Sequence, residues 1–161
     1  ELRFFSSMMK RGCRDGELDV RGISHRGYFA SITDFKSYHD ANMDLIDYKT
    51  ATDLFHDNWP IYTRTNNSCP THYFDTANVS NSVISNGSMI EGTVENSIVG
   101  RGCTIKKGAV IKNCVVLADC TIGENVHIEN LVVDKHAKIT HAKEIIRPAD
   151  EPGYIKRNDT L

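Results

Sequence analysis

A tetrad recurs four times in the second half of the chain, as Asn81-Ser82-Val83-Ile84, Asn96-Ser97-Ile98-Val99, Asn113-Cys114-Val115-Val116 and Asn130-Leu131-Val132-Val133. The starts lie 15, 17 and 17 residues apart. A near-constant period of this length marks stacked units, each burying its apolar residues against its neighbours, and excludes a single globular core over this half.

Within the period, aliphatic residues return mostly every five or six positions, as Ile84, Ile90, Val99, Ile105, Ile111, Val116, Ile122, Ile128, Val133 and Ile139. That step is too long for alternation within one strand or for one helix face, but it suits a short strand and a turn repeated three times per coil. Each coil then makes one triangular layer of a prism. The residue two before each aliphatic is usually small: Ser82, Ser88, Ser97, Cys103, Ala109, Cys114, Cys120, Val126, Leu131 and Ala137. Side chains two apart on a strand point the same way, so each face sends one small and one branched residue inward. Turn residues such as Asn86-Gly87, Gly100-Arg101-Gly102, Lys107-Gly108 and Gly123-Glu124-Asn125 fall at the corners. Stacking places Ile105, Ile122 and Ile139 in one ladder and Ile111, Ile128 and Ile145 in another. The first coil, Asn81 to Glu95, is two residues short of its neighbours and is expected to be irregular.

Composition adds exclusions. With 40% apolar and 25% charged residues the 161-residue chain reads as a folded soluble protein. Its 19 basic and 21 acidic residues leave a net charge of −2 without a basic run, which argues against nucleic acid as a partner. No apolar stretch approaches the ~18 residues of a membrane span and no signal peptide is visible, so no membrane partner and a cytoplasmic location are expected. Five cysteines without CxxC spacing indicate neither a disulfide framework nor a zinc site. Cys103, Cys114 and Cys120 take inward positions and read as reduced core residues. Cys103 and Cys120 stack closely enough for a bridge, but a cytoplasmic location argues against one.

The first fifty residues follow other patterns. Glu1 to Lys10 reads as the end of a helix closed by Gly12, and Leu18–Ile23 and Tyr28–Ile32 as two strands. Asp34 can cap a helix from Phe35 to about Asp47, with Phe35, Tyr38, Leu45 and Ile46 on its buried side. Two strands and a helix bury too little to stand alone, so residues 1–48 are expected to be the remnant of a larger domain. Residues 49–78 then form a linker, 79–145 the coil, and 146–161 a cap or tail, with Ile145, Ile146, Pro148, Tyr154 and Ile155 as candidates for covering the open end.

The hexapeptide pattern resembles that of the left-handed parallel β-helix, and the hand is taken from that resemblance. The run Gly27-Tyr28-Phe29-Ala30-Ser31-Ile32-Thr33-Asp34, followed by Ala41-Asn42-Met43-Asp44-Leu45, resembles the segment that closes the catalytic domain of bacterial glucose-1-phosphate adenylyltransferase, or ADP-glucose pyrophosphorylase. In that family the run reads Gly-Tyr-Trp, any residue, Asp-Val-Gly-Thr, and a linker and a β-helix follow. Trp59-Pro60-Ile61-Tyr62-Thr63 and Glu91-Gly92-Thr93-Val94-Glu95-Asn96-Ser97-Ile98 resemble its linker and first coil. The fold implied is mostly β, a left-handed β-helix preceded by the α/β tail of a nucleotidyltransferase domain.

The resemblance implies a reaction in which ATP and glucose 1-phosphate give ADP-glucose and pyrophosphate for glycogen synthesis, with Mg2+ and ATP as its metal and nucleotide. It also carries a departure. The family's Asp that helps bind the metal aligns with Ser31, and a hydroxyl is a poor hard-cation anchor in place of a carboxylate. Asp34, the adjacent carboxylate, sits where a helix cap is needed. The departure resembles the regulatory-type, GlgD-like subunit of the family, which assembles with a catalytic paralogue. Phosphate-cradling and sugar-binding residues of the family belong to a part not represented here, so this chain by itself is expected to be inactive. A hetero-oligomer with the catalytic subunit, or self-association through the coil, is the partner implied.

No catalytic or metal residue is assigned. Arg101, Lys106, Lys107 and Lys112 form a candidate effector or anion site on the first regular coil, against the reading of a solvated basic face. Two alternatives stand beside this one. A hexapeptide acyltransferase would need a histidine base, for which His127, His136 and His141 are the candidates, and a nucleotidyltransferase for another sugar, such as mannose 1-phosphate, would share the same tail and coil. His25, His39, His56 and His72 show no ligand spacing and read as surface or internally satisfied residues.

Overall fold

A computed structural model describes residues 2–56, 58, 60–63 and 67–161. Trp59 and Glu1, which enter the readings above, lie outside them. From His72 onward the chain coils through three parallel five-stranded sheets. The first face carries His72–Tyr73, Met89–Ile90, Thr104–Ile105, Thr121–Ile122 and Lys138–Ile139. The second carries Asn78–Ser80, Thr93–Glu95, Val110–Lys112, His127–Glu129 and Glu144–Ile146. The third carries Val83–Ile84, Ile98–Val99, Val115–Val116, Leu131–Val133 and Gly153–Ile155.

The ladders expected from the period are present. Ile122 pairs with Ile105 and Ile139, and Ile128 with Ile111 and Ile145. Ile105, Ile111, Ile122, Ile128 and Ile139 are fully buried. Val94, absent from the expected ladder, is fully buried too and lies in register with Ile111. Each inward isoleucine contributes roughly 1.5–3 kcal/mol by burial.

The small inward residues do more than fill space. Ser97 Oγ donates to Glu95 O at 2.7 Å and accepts from the Cys114 backbone N–H at 3.0 Å in the next coil. Ser88 Oγ likewise donates to Gly100 O and accepts from Cys103 N–H, both at 3.1 Å. Hydroxyls and thiols thus satisfy backbone groups that the turns leave outside the strand ladders. Cys103 and Cys120 are unbridged, as are the other cysteines.

One corner of each coil is built on asparagine. Asn81, Asn96, Asn113 and Asn130 have φ of 41°, 44°, 49° and 55°, a left-handed conformation that asparagine tolerates better than other residues with a Cβ. The missing two residues of the short coil lie at the corner between the first and second faces. There Ile90 runs to Thr93 where the next coil runs from Ile105 to Val110. Gly92 makes this possible, because a Cβ would stand 2.5 Å from Ala109 O and 2.8 Å from Lys106 O.

Pairing begins at His72, within the stretch expected as linker, and continues through Gly153–Ile155, within the stretch expected as a cap. Ile145 and Ile155 are not an external lid. They turn inward and join the core, while Ile146, Pro148 and Tyr154 remain exposed. Beyond them Lys138 bridges to Thr160, and Leu161 O accepts from Thr140 and His141 N–H.

The amino-terminal part departs further from expectation. Its first helix, α1 (Leu2–Arg14), runs through Gly12 and ends at Gly16, with φ 71° and Glu17 N–H bonded to Gly12 O at 2.9 Å. That bond, with Gly16 N–H to Cys13 O, makes a Schellman end, for which the left-handed glycine is Gly16. Leu18–Ile23 and Tyr28–Ile32 are not strands. No neighbouring strand pairs with them among the described residues, a lone hairpin is marginal in water, and Val20, Ile23, Phe29 and Ile32 are exposed. Helix α2 (Phe35–Met43) does form behind Asp34, followed by a 3-10 turn over Asp44–Ile46 and helix α3 (Tyr48–Leu54).

Candidate functional site

The third face is apolar on both sides. Its inward row is Ile84, Val99, Val116, Val133 and Ile155, and its outward row is Val83, Ile98, Val115, Val132 and Tyr154. An outward row on a solvated face would be polar, yet Val115 is 0% and Val132 1% exposed. Helix α2 packs on this face. Its Phe35 ring meets Tyr154 edge-on at 5.7 Å between centroids, and His39 Nε2 donates to Asn113 O at 2.9 Å. His39, not Phe35, is the residue of α2 that is buried. Tyr38, Leu45 and Ile46 are half-buried, and Phe35 lies toward the rim.

The segment bearing Ser31 is fastened to the same helix from both sides. Before it, Tyr28 Oη donates to Asp44 Oδ2 at 2.9 Å and to Ala41 O at 3.4 Å. Burial, then the Asp44 carboxylate, raises the Tyr28 phenol above its ordinary value. After it, Asp34 Oδ1 accepts from Ser37 N–H at 2.7 Å, while Ser37 Oγ accepts from Asp34 N–H at 3.0 Å. This reciprocal cap holds the Asp34 carboxyl below the usual range, chiefly through the Ser37 backbone amide. Asp34 is therefore committed as a cap, and Ser31 is an exposed coil residue with a hydroxyl to offer. Among the described residues no group of three or more His, Cys, Asp or Glu is placed to hold a metal ion. This donor set does not fit Mg2+.

The four basic residues are distributed around the coil. Arg101 stands at the corner before Thr104–Ile105, and Lys106 and Lys107 at the corner after it, so one face of the prism separates them. The Lys107 backbone N–H donates to Glu91 Oε2 at 3.1 Å. Lys112 projects from the second face, 3.5 Å from Glu95 Oε2 and in register with Glu129. Only Lys106 and Lys107 share a location.

The histidines of the repeat are also dispersed. His127 faces outward from the second face, with Nε2 at 2.7 Å from Glu129 Oε1 and Nδ1 at 3.6 Å from Glu144 Oε1. His136 occupies a corner at φ 62°, 3.7 Å from Asp119, and His141 lies at the corner beside Leu161. Cys114 is a core thiol that burial pushes up to about 12. No helix among the described residues is long and apolar enough to cross a membrane.

What sequence reasoning missed is the docking face and His39. The signal was present in the third residue of each tetrad, Val83, Ile98, Val115 and Val132, which is apolar at an outward position four times over.

Residues 70–151 match the family described as GlmU-like, C-terminal hexapeptide. Among curated proteins the chain is 36% identical over 140 residues to the glycogen biosynthesis protein GlgD of Bacillus subtilis, which covers 87% of this chain and 41% of that protein. It is 42% identical over 86 residues to the glucose-1-phosphate adenylyltransferase of Geobacillus stearothermophilus, covering 53% of this chain and 22% of that one. The same enzyme of Bacillus mycoides is 36% identical over 122 residues, 76% of this chain and 32% of the relative. The chain thus spans less than half the length of each of these relatives. It belongs to the GlmU-like C-terminal hexapeptide family, and its likeness there is to glucose-1-phosphate adenylyltransferases and GlgD.

Proposed function

We propose that this chain is the β-helix part of a glucose-1-phosphate adenylyltransferase-type subunit of glycogen synthesis, and that its work is assembly and regulation. The reading is supported by the likeness to GlgD over most of the chain and by the coil itself, a rigid rod that offers long faces for packing. The observation that carries it is Ser31. Where the catalytic pattern has a carboxylate, this chain has an exposed hydroxyl, and the nearest acid, Asp34, is spent on capping α2. ATP and Mg2+ are then bound by a catalytic partner, and this subunit acts on that partner through contact.

The Ser31 segment, α2 and the third face form a connected path by which the coil can bear on the neighbouring domain. Tyr28 and Asp34 clasp α2 from either side of Ser31, and His39 joins α2 to Asn113. The test is sedimentation of this chain alone and mixed with a catalytic glucose-1-phosphate adenylyltransferase subunit. A mixed species of defined size supports the assembly role, and independent sedimentation at micromolar concentration contradicts it.

A further inference from the structure

We infer that Cys103 and Cys120 are an oxidisable pair, which a peroxide closes into a reversible disulfide joining two successive coils. Thr104 pairs with Thr121 in parallel register, and each cysteine stands one residue earlier, so the two buried thiols share one inward column. Adjacent coils are about 4.8 Å apart, inside the roughly 4.4–6.8 Å between Cα atoms that a disulfide spans. The two thiols are also hydrogen-bond neighbours. Cys114, the third core thiol, lies on another face, and the residues above and below it in its column are Ser97 and Leu131. Only one pair among the three core thiols is therefore placed to bridge.

The pair is asymmetric. The contact between the two thiols lowers Cys120 below its ordinary value and, with burial, raises Cys103. Cys120 is then the readier thiolate and the attacking sulfur. Its attack on hydrogen peroxide gives the Cys120 sulfenic acid and one water, and the Cys103 thiol displaces the sulfenic oxygen as a second water while the S–S bond forms. Two thiols are oxidised, one peroxide is reduced, and both thiol protons leave in the waters. Gly102 and Asp119, each one residue before a cysteine, are exposed corner residues, so a local opening of that corner admits an oxidant little larger than water. Closure forfeits the thiol contacts with Leu117 O at 3.1 Å and Asp134 O at 3.0 Å. It also draws the Cβ atoms in from the strand spacing to the ~3.8 Å usual for a bridge. Both effects favour the reduced form, so thiols reopen the bond, as they do transient disulfides of reducing compartments.

The test uses the whole chain with the exposed Cys13 and Cys69 replaced by serine, which leaves the three core thiols. The folded protein is treated with hydrogen peroxide, the excess is destroyed with catalase, and the protein is unfolded in N-ethylmaleimide for intact-mass and peptide analysis. We expect a single maleimide adduct, on Cys114, together with the loss of two hydrogens and a linked peptide containing Cys103 and Cys120. Dithiothreitol added to the folded, oxidised protein should restore all three adducts. Three adducts after peroxide treatment overturn the inference. So do a linkage that includes Cys114, oxidation of the pair to sulfinic acids without a bridge, and a bridge that dithiothreitol opens only in denaturant.

Discussion

Asn96 Nδ2 donates to Asn113 Oδ1 at 2.7 Å across the gap between two coils, and both residues hold φ near 45°. Asn81 Nδ2 makes the same bond to Asn96 Oδ1, also at 2.7 Å. One residue type therefore supplies both the corner's backbone conformation and a side-chain ladder along the stack. We expect Asn96→Ala to destabilise the fold by about 1–3 kcal/mol, combining left-handed strain with lost ladder bonds. Asn96→Gly relieves the strain and not the ladder, so its urea midpoint should fall between those of Asn96→Ala and the wild type.

Ser97 and Cys114 form a second kind of rung. Removing the Ser97 hydroxyl leaves the Cys114 N–H buried without its acceptor, a cost of about 1–3 kcal/mol. Cys114→Ser keeps a donor to Lys112 O in the same volume and should change stability by less than about 1 kcal/mol. Chemical denaturation of the two variants should separate them clearly, and equal losses would show that the bond from Cys114 N–H to Ser97 Oγ does not set the stability of this row.

Gly92 is the residue that lets one coil be shorter than the next. Its missing Cβ faces backbone oxygens, which cannot rotate away. Gly92→Ala should lower the thermal midpoint markedly, whereas Gly22→Ala, where a Cβ would meet nothing within 4 Å, should leave it nearly unchanged.

Acid should loosen α2 at its cap. Asp34 is depressed in the folded state, so its contribution is fully present above the unfolded value near 3.9 and is lost as pH falls through its lower native value. Asp40, Asp47 and Asp134 are depressed as well, Asp40 chiefly by Lys36, Asp47 chiefly by the Thr50 amide and Asp134 chiefly by the Tyr154 hydroxyl, so a global melt sums all four. Exchange at the Ser37 amide isolates the cap. Protection there should fall with Asp34 protonation in the wild type and stay independent of pH across that window in Asp34→Asn, since asparagine caps without titrating.

The coil was legible in the sequence because its register is strict: once Ile105, Ile122 and Ile139 are aligned, every inward residue of the regular coils follows. Where the short coil loses its two residues was not legible, since a spacing of 15 does not say which corner tightens, and Val94 was missed with it. Leu18–Ile23 and Tyr28–Ile32 have the composition of strands, but composition supplies no partner for pairing. The basic residues looked clustered because Arg101, Lys106, Lys107 and Lys112 are close along the chain, while each turn of the prism carries neighbours in sequence to different faces. His39 was hidden for the opposite reason, since its partner Asn113 lies 74 residues away.

The most direct measurement is ADP-glucose formation from ATP and glucose 1-phosphate by this protein alone, by a catalytic glucose-1-phosphate adenylyltransferase subunit alone, and by the two together. We expect no turnover from this protein by itself and a changed rate or effector response in the mixture. Turnover by this protein alone at a rate comparable with the catalytic subunit, or a mixture whose rate and effector response equal those of the catalytic subunit by itself, would contradict the assignment.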